Sequence, residues 1–149
     1  MSIDSTKKST LTLYSPDFEE NTGMPYMDYG VSAGFPSPAQ DFMEYKIDLN
    51  RALAKNPLAT FYIKVSGHSM INAGIDNGDI LVADRSLEPE NGKIAICLVD
   101  GEFTVKRLKI EENCIYLMPE NDKYQPLQVT EDNQFTIWAI VTFVIKEVR

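Results

Sequence analysis

From Thr60 onward the chain is written in short runs of β-branched and aromatic residues broken by Gly, Asp and Asn, a texture that fits strands joined by turns and little else. Strands are expected near residues 60–65, 79–83, 93–99, 102–110, 115–118 and 134–148. The firmest local signal is Asp100-Gly101, between the third and fourth of these runs, because both central residues of a type I′ hairpin turn need positive φ. A two-residue turn also fixes register: Val99 then faces Glu102 and Ala95 faces Lys106, so a small side chain leaves space beside the lysine stem. The expected body is a compact, mainly β domain.

The first 33 residues read differently. Ser, Thr, Asp, Glu, Gly and Pro are mixed with Tyr14, Phe18, Tyr26 and Tyr29, and no apolar stripe of helical period runs through them. They make an arm, either docked as an extra strand or left mobile. Gly34-Phe35-Pro36-Ser37-Pro38-Ala39-Gln40 then supplies a stop and a start, with Ser37 as N-cap, Pro38 as first helical residue and Gln40 as capping-box partner. A short helix is expected from about Pro38, with Phe42, Met43, Tyr45 and Ile47 on its apolar face. A second, capped by Asp48, runs through Leu49, Ala52 and Leu53 and is stopped by Pro57.

Charge and composition remove whole classes of function. The 149 residues suffice for one domain and an appendage. Lys+Arg total 14 against Asp+Glu 22, a formal net charge of -8, which repels a phosphate backbone; direct DNA binding is not expected. The arm has no room for a helix-turn-helix, which argues against a repressor. The longest apolar run, 137–145, is broken by Thr142 and falls short of the about 20 residues a membrane helix needs, so no membrane association is expected. The N-terminus lacks the apolar core of a secretion signal, which points to the cytoplasm. Cys97 and Cys114 sit in strand-like apolar runs and are read as buried free thiols.

The inventory of reactive groups is thin. The one histidine, His68, directly precedes Ser69, and neighbours on an extended chain point apart, so a Ser-His-Asp triad is poorly supported; His68 reads as a turn residue or a solvent-facing ring. One His and two separated Cys do not make a zinc site, and no glycine-rich phosphate loop is present, so neither metal nor cofactor is implied. What remains is the turn Ser66-Gly67-His68-Ser69-Met70 at the end of an apolar strand. It can expose a hydroxyl and aim the backbone N–H groups of His68 and Ser69 at one point, as an oxyanion site requires.

A serine without a histidine needs another base, and a lysine kept neutral by burial is the known substitute. Alternation along 102–108 puts Thr104, Lys106 and Leu108 on one face of a strand and Phe103, Val105 and Arg107 on the other, so Lys106 is the candidate, with Lys64 and Lys109 as fallbacks. At an ordinary pKa of about 10.4, fewer than roughly one lysine in a thousand is neutral at pH 7; burial has to lower that value by several units.

Several segments together resemble the self-cleaving LexA/UmuD family of serine-lysine (S24-type) peptidases: 34–39, 47–50, Val65-Ser66-Gly67-His68-Ser69-Met70, Gly74-Ile75, Gly78-Asp79 and Asp100-Gly101-Glu102-Phe103-Thr104-Val105-Lys106. The resemblance covers about 34–149 and implies a twisted sheet of the LexA/signal-peptidase type with short N-terminal helices. It implies that Ser69 is the nucleophile and Lys106 its general base. The scissile bond matching the family's is Ala33-Gly34, so the arm 1–33 would be removed by self-cleavage and 34–149 would be the peptidase domain. It further implies a homodimer, stimulation by the RecA–single-stranded DNA filament, and a product that joins a UmuC-like, Y-family DNA polymerase in SOS mutagenesis. The competing expectation is a β-rich adaptor without catalysis, in which Ser69 and Lys106 are ordinary turn and strand residues. The apolar stretch 135–148, with Trp138, Ile140, Phe143 and Ile145, could serve as core or as interface.

Overall fold

The computed structural model describes residues 12–17, 24–26 and 45–148. Ten strands are found among them: β1 (Thr12–Tyr14), β2 (Met24–Tyr26), β3 (Tyr45–Ile47), β4 (Thr60–Lys64), β5 (Ile80–Asp84), β6 (Ile94–Val99), β7 (Glu102–Ile110), β8 (Ile115–Met118), β9 (Leu127–Val129) and β10 (Phe135–Ile145). One short helix, α1 (Leu49–Leu53), joins the ribbon β2–β3 to the body. The main sheet has the order β1-β4-β5-β10-β6-β7-β8-β9, antiparallel throughout.

The mainly β expectation holds, and each of the six expected strands is present within a few residues of its expected ends. The hairpin of β6 and β7 turns at Asp100 (φ 48°) and Gly101 (φ 84°), and its register pairs Val99 with Glu102 and Ala95 with Lys106. The helix capped by Asp48 is also present. The carboxylate accepts the backbone N–H of Asn50 at 3.0 Å and of Arg51 at 3.4 Å, satisfying two of the donors a helix start leaves open.

Two expectations need correction. Tyr45 and Ile47 do not continue a helix: Tyr45–Ile47 is a strand paired with Met24–Tyr26, and so short an apolar run has no period that separates the two states. The rest of that expected helix lies outside the described residues, as does Ala33-Gly34. Cys114 is not buried in a strand. It closes the β7–β8 turn, where its carbonyl accepts the Glu111 N–H at 2.8 Å, and it is only half-buried; both cysteines are free. Of the two expectations for the arm, docking holds for Thr12–Tyr14, which extends the sheet beside β4, while Met24–Tyr26 pairs with Tyr45–Ile47 in the separate ribbon.

Both faces of the sheet are covered, and alternation assigns each strand residue to one face. Ile96 and Val105 join Ile63, Val65, Met70, Ile75, Leu81 and Ala83 in one cluster, while Ala95, Cys97, Leu108, Leu117 and Ile140 form a second on the opposite side. The first cluster fastens the turn that carries Ser69 to the sheet through Val65 and Met70; the second lies on the face of β7 from which Lys106 projects. Strand β10 runs through the middle and has two irregularities, between Ile137 and Ala139 against β6 and between Val141 and Phe143 against β5. Bulges of this kind bend a strand and re-aim its side chains. Trp138 at the first packs against Phe61 and Phe103 and under the Arg85 guanidinium. The first half of β10 is therefore core, whereas Phe143, Val144 and Ile145 remain partly exposed. Among the described residues, no helix is long and apolar enough to cross a membrane.

Candidate active site

Strand β4 ends at Lys64, and the chain then folds through Ser66-Gly67-His68-Ser69 into a single 3-10 turn, Ile71–Ala73. Gly67 (φ 107°) allows the reversal that a Cβ would resist. The turn is held at both ends. The Gly67 N–H donates to Asn77 Oδ1 at 2.9 Å, the Gly78 N–H to the Val65 carbonyl and the Val65 N–H to the Asp79 carbonyl, both at 2.8 Å. Buried Met70 anchors the far side, its carbonyl accepting the N–H groups of Ala73 and Ile75.

On β7, Lys106 projects from the same face as Thr104 and Leu108, opposite Ala95, as the hairpin register requires. Its Nζ lies 3.0 Å from Ser69 Oγ, 2.8 Å from Thr104 Oγ1 and 3.0 Å from the Val105 carbonyl oxygen. Three partners suit both protonation states. A neutral amine has two N–H groups for Thr104 and Val105 and one lone pair to accept the Ser69 hydroxyl proton; an ammonium donates to all three. Burial lowers the Lys106 pKa from its usual value, because charging the amine among apolar neighbours forfeits hydration; the electrostatic pull of Cys97 works weakly the other way. Cys97 is fully buried on the paired strand, directly across from Thr104, and burial pushes its thiol up to about 12.

The other expected site residues divide. His68 is exposed, as a turn residue would be. Its backbone N–H and that of Ser69 donate to no acceptor among the described residues, which leaves them available. Of the fallback bases, Lys64 is exposed and Lys109 is paired with Glu111 at 3.4 Å over the Tyr116 ring. Two cavities adjoin these residues, one at Ser69 and one at Lys106. One of about 20 Å³, room for little more than a water or a methyl group, is lined by Val65, Ser66, Gly67, Ser69, Met70, Phe103, Thr104 and Val105. A larger groove of about 470 Å³ runs past Lys106 and Thr104 between Val99, Phe103, Leu117 and Leu127.

Sequence reasoning did not single out the strap after β8. Glu120 donates its N–H to the Ser69 carbonyl and accepts the Asn72 N–H, both at 2.8 Å, while its carboxylate receives Arg107 Nε at 2.5 Å. Asn121 Nδ2 donates to the His68 carbonyl at 2.8 Å. Nothing in the local sequence ties Glu120 and Asn121 to a segment some fifty positions earlier. The alternation that put Thr104 on the Lys106 face could have flagged it as a partner.

The model of the peptidase S24-like family matches residues 25–142. Protein ImpA of Salmonella typhimurium is 40% identical over 134 residues, covering 90% of this chain and 91% of that protein. Protein MucA of Escherichia coli is 38% identical over 125 residues, covering 83% and 85%. The LexA repressor of Pectobacterium carotovorum subsp. carotovorum is 39% identical over 129 residues, 86% of this chain and 63% of the repressor. With the match extending over both the turn that carries Ser69 and strand β7, the chain belongs to the peptidase S24-like family.

Proposed function

We propose that this chain is a serine endopeptidase that cuts itself between Ala33 and Gly34, using Ser69 as nucleophile and Lys106 as general base. The observation that carries the reading is the 3.0 Å contact between Lys106 Nζ and Ser69 Oγ at an amine whose pKa is lowered by burial. Lys106 takes the hydroxyl proton as Oγ attacks the Ala33 carbonyl carbon. The N–H groups of His68 and Ser69 hold the oxyanion, a contribution worth about 10²–10³-fold per donor in serine peptidases. Lys106 then returns the proton to the departing Gly34 amine, leaving an ester between Ser69 and Ala33. A water, deprotonated by the same amine, hydrolyses the ester and frees residues 1–33. The cavity of about 20 Å³ beside Ser69 suits a methyl side chain, which supports alanine on the acyl side of the bond. The groove past Lys106 would take neighbouring residues of an extended segment.

Tethering the substrate gives effective molarities up to about 10⁵–10⁸ M when alignment is good, so control lies in how often the aligned state is populated. In the LexA/UmuD setting the stimulus is the RecA–single-stranded DNA filament, and the shortened product, 34–149, serves a UmuC-like Y-family DNA polymerase as a homodimer in cytoplasmic SOS mutagenesis. The relationship to ImpA, MucA and the LexA repressor supports that setting. Intact-mass measurement after incubation with activated RecA, or alone at alkaline pH, tests the chemistry. A single product lacking residues 1–33 is expected from the wild type and none from Ser69→Ala or Lys106→Ala. An intact Ala33-Gly34 bond in wild type under both conditions would sink the reading.

A further inference from the structure

The strap 120–121 meets the nucleophile turn at two successive peptide units. The His68 carbonyl accepts Asn121 Nδ2 at 2.8 Å and, more weakly, the Ile71 N–H at 3.3 Å. The Ser69 carbonyl accepts the Glu120 N–H at 2.8 Å. A trans peptide is planar, with its C=O and N–H antiparallel, so fixing the carbonyl of one residue aims the N–H of the next in the opposite direction. The partner of the His68 carbonyl is the Ser69 N–H, which has no acceptor of its own among the described residues.

From this geometry we infer that Asn121 is a positioning residue for the oxyanion site: its side-chain amide, by holding the His68 carbonyl, aims the Ser69 N–H at the point where negative charge develops. The inference rests on the peptidase reading above. The amide is itself fixed, since Asn121 Oδ1 accepts the Lys123 N–H at 3.0 Å. The next residue back, Glu120, is tied by its carboxylate to Arg107, whose Nη1 also donates to the Gly92 carbonyl at 2.7 Å. Arg107 follows Lys106 on β7, so the same few hydrogen bonds set the strand that carries the base and the peptide that would receive the oxyanion. An oxyanion donor is effective only if it needs no reorientation during the reaction, and a Gly-containing turn does not provide that rigidity unaided.

The test is first-order self-cleavage of the full chain across the alkaline range, comparing wild type with Asn121→Asp and Asn121→Ala. Asparagine to aspartate keeps the shape and the acceptor for Lys123 but sets a carboxylate against the His68 carbonyl; alanine removes the side chain without adding charge. Both variants should reach a maximal rate about 10- to 100-fold below wild type; in Asn121→Ala the pH midpoint of the rise stays unmoved, because that midpoint reports Lys106, whereas the carboxylate of Asn121→Asp can only move it upward. A purely structural loosening of the turn would admit water to Lys106 and move the midpoint upward. Fluorescence of Trp138, the one tryptophan, confirms that each variant is folded at the assay pH. Maximal rates within about twofold of wild type, or a loss in Asn121→Ala accompanied by a shifted midpoint, would overturn the inference. Failure of wild type itself to cleave would instead remove the peptidase reading on which it stands.

Discussion

At the scale of single residues the site turns on one amine. Lys106 keeps three hydrogen-bond partners while it sits across from Ala95 on the face that buries Cys97 and Leu108, so it is satisfied in its bonds but poorly hydrated. A folded pKa below the unfolded value near 10.5 means that, between the two, the unfolded chain binds more protons than the folded one. Stability therefore rises with pH across that window, the penalty being fully present below the folded value and gone above the unfolded one. Lys106→Met, which fills the same space without titrating, should lose this slope along with all cleavage. Thermal unfolding followed from neutral pH to about pH 10 should show wild type gaining on the variant by up to about 1.4 kcal/mol per unit inside the window. Parallel pH profiles would mean that the amine is not desolvated. The offset between the curves is a separate matter, since methionine leaves the hydroxyls of Ser69 and Thr104 to find other partners.

At the scale of elements, the β6–β7 hairpin is what brings the base to its place, and its turn can be tested without touching the dyad. A Cβ at Gly101 would meet nothing within 4 Å, so replacing it costs only the backbone strain of φ 84°. Gly101→Ala should lower stability by about 1 kcal/mol, seen as a lower denaturant midpoint at unchanged slope, while Gly101→Asn should cost less because asparagine tolerates that conformation. An alanine variant as stable as wild type would show that the turn does not hold the register. This hairpin was legible in the sequence because turn chemistry and strict alternation agreed, and the pairing of Ala95 with Lys106 followed from counting. The three-residue strands Thr12–Tyr14, Met24–Tyr26, Tyr45–Ile47 and Leu127–Val129 were not, since so few residues display no period and exist only through the partner they find. The bulges around Trp138 and Thr142 were hidden for the same reason. The apolar run of β10 reads as continuous, and only its two neighbours, β5 and β6, impose the shifts in register. Of the site, the serine and lysine could be read from the chain, whereas Asn121 and Glu120 depend on a loop crossing that no local pattern announces.

At the scale of the whole molecule, β10 lies in the centre of the sheet and the residue after it reaches back to the loop that follows Ser69. Lys146, just beyond the strand, bonds Asp76 Oδ2 at 2.6 Å and also the buried carboxylate of Asp79, which in turn accepts the Asp76 N–H at 2.7 Å. Asp79 is the residue whose carbonyl receives the Val65 N–H, so this latch closes the loop that carries Ser69. The two lysines titrate with opposite sign. The hydrogen bonds to Asp76 and Asp79 raise the Lys146 pKa above 10.5, so its contribution is complete below the unfolded value and is lost as pH climbs through the folded one. Lys106, with its lowered value, is freed as a base earlier on the same climb. Alkaline self-cleavage should accordingly rise as Lys106 loses its proton and fall again once Lys146 does, giving a bell whose two limbs belong to different residues. Lys146→Arg separates the limbs, because a guanidinium keeps its charge throughout the accessible range. The variant should retain the rising limb at the wild-type midpoint and lose or delay the falling one, measured as first-order rates of appearance of the 34–149 product. A falling limb at the same pH in both proteins would show that the latch does not govern the nucleophile loop, and that the high-pH decline belongs to general unfolding of the sheet.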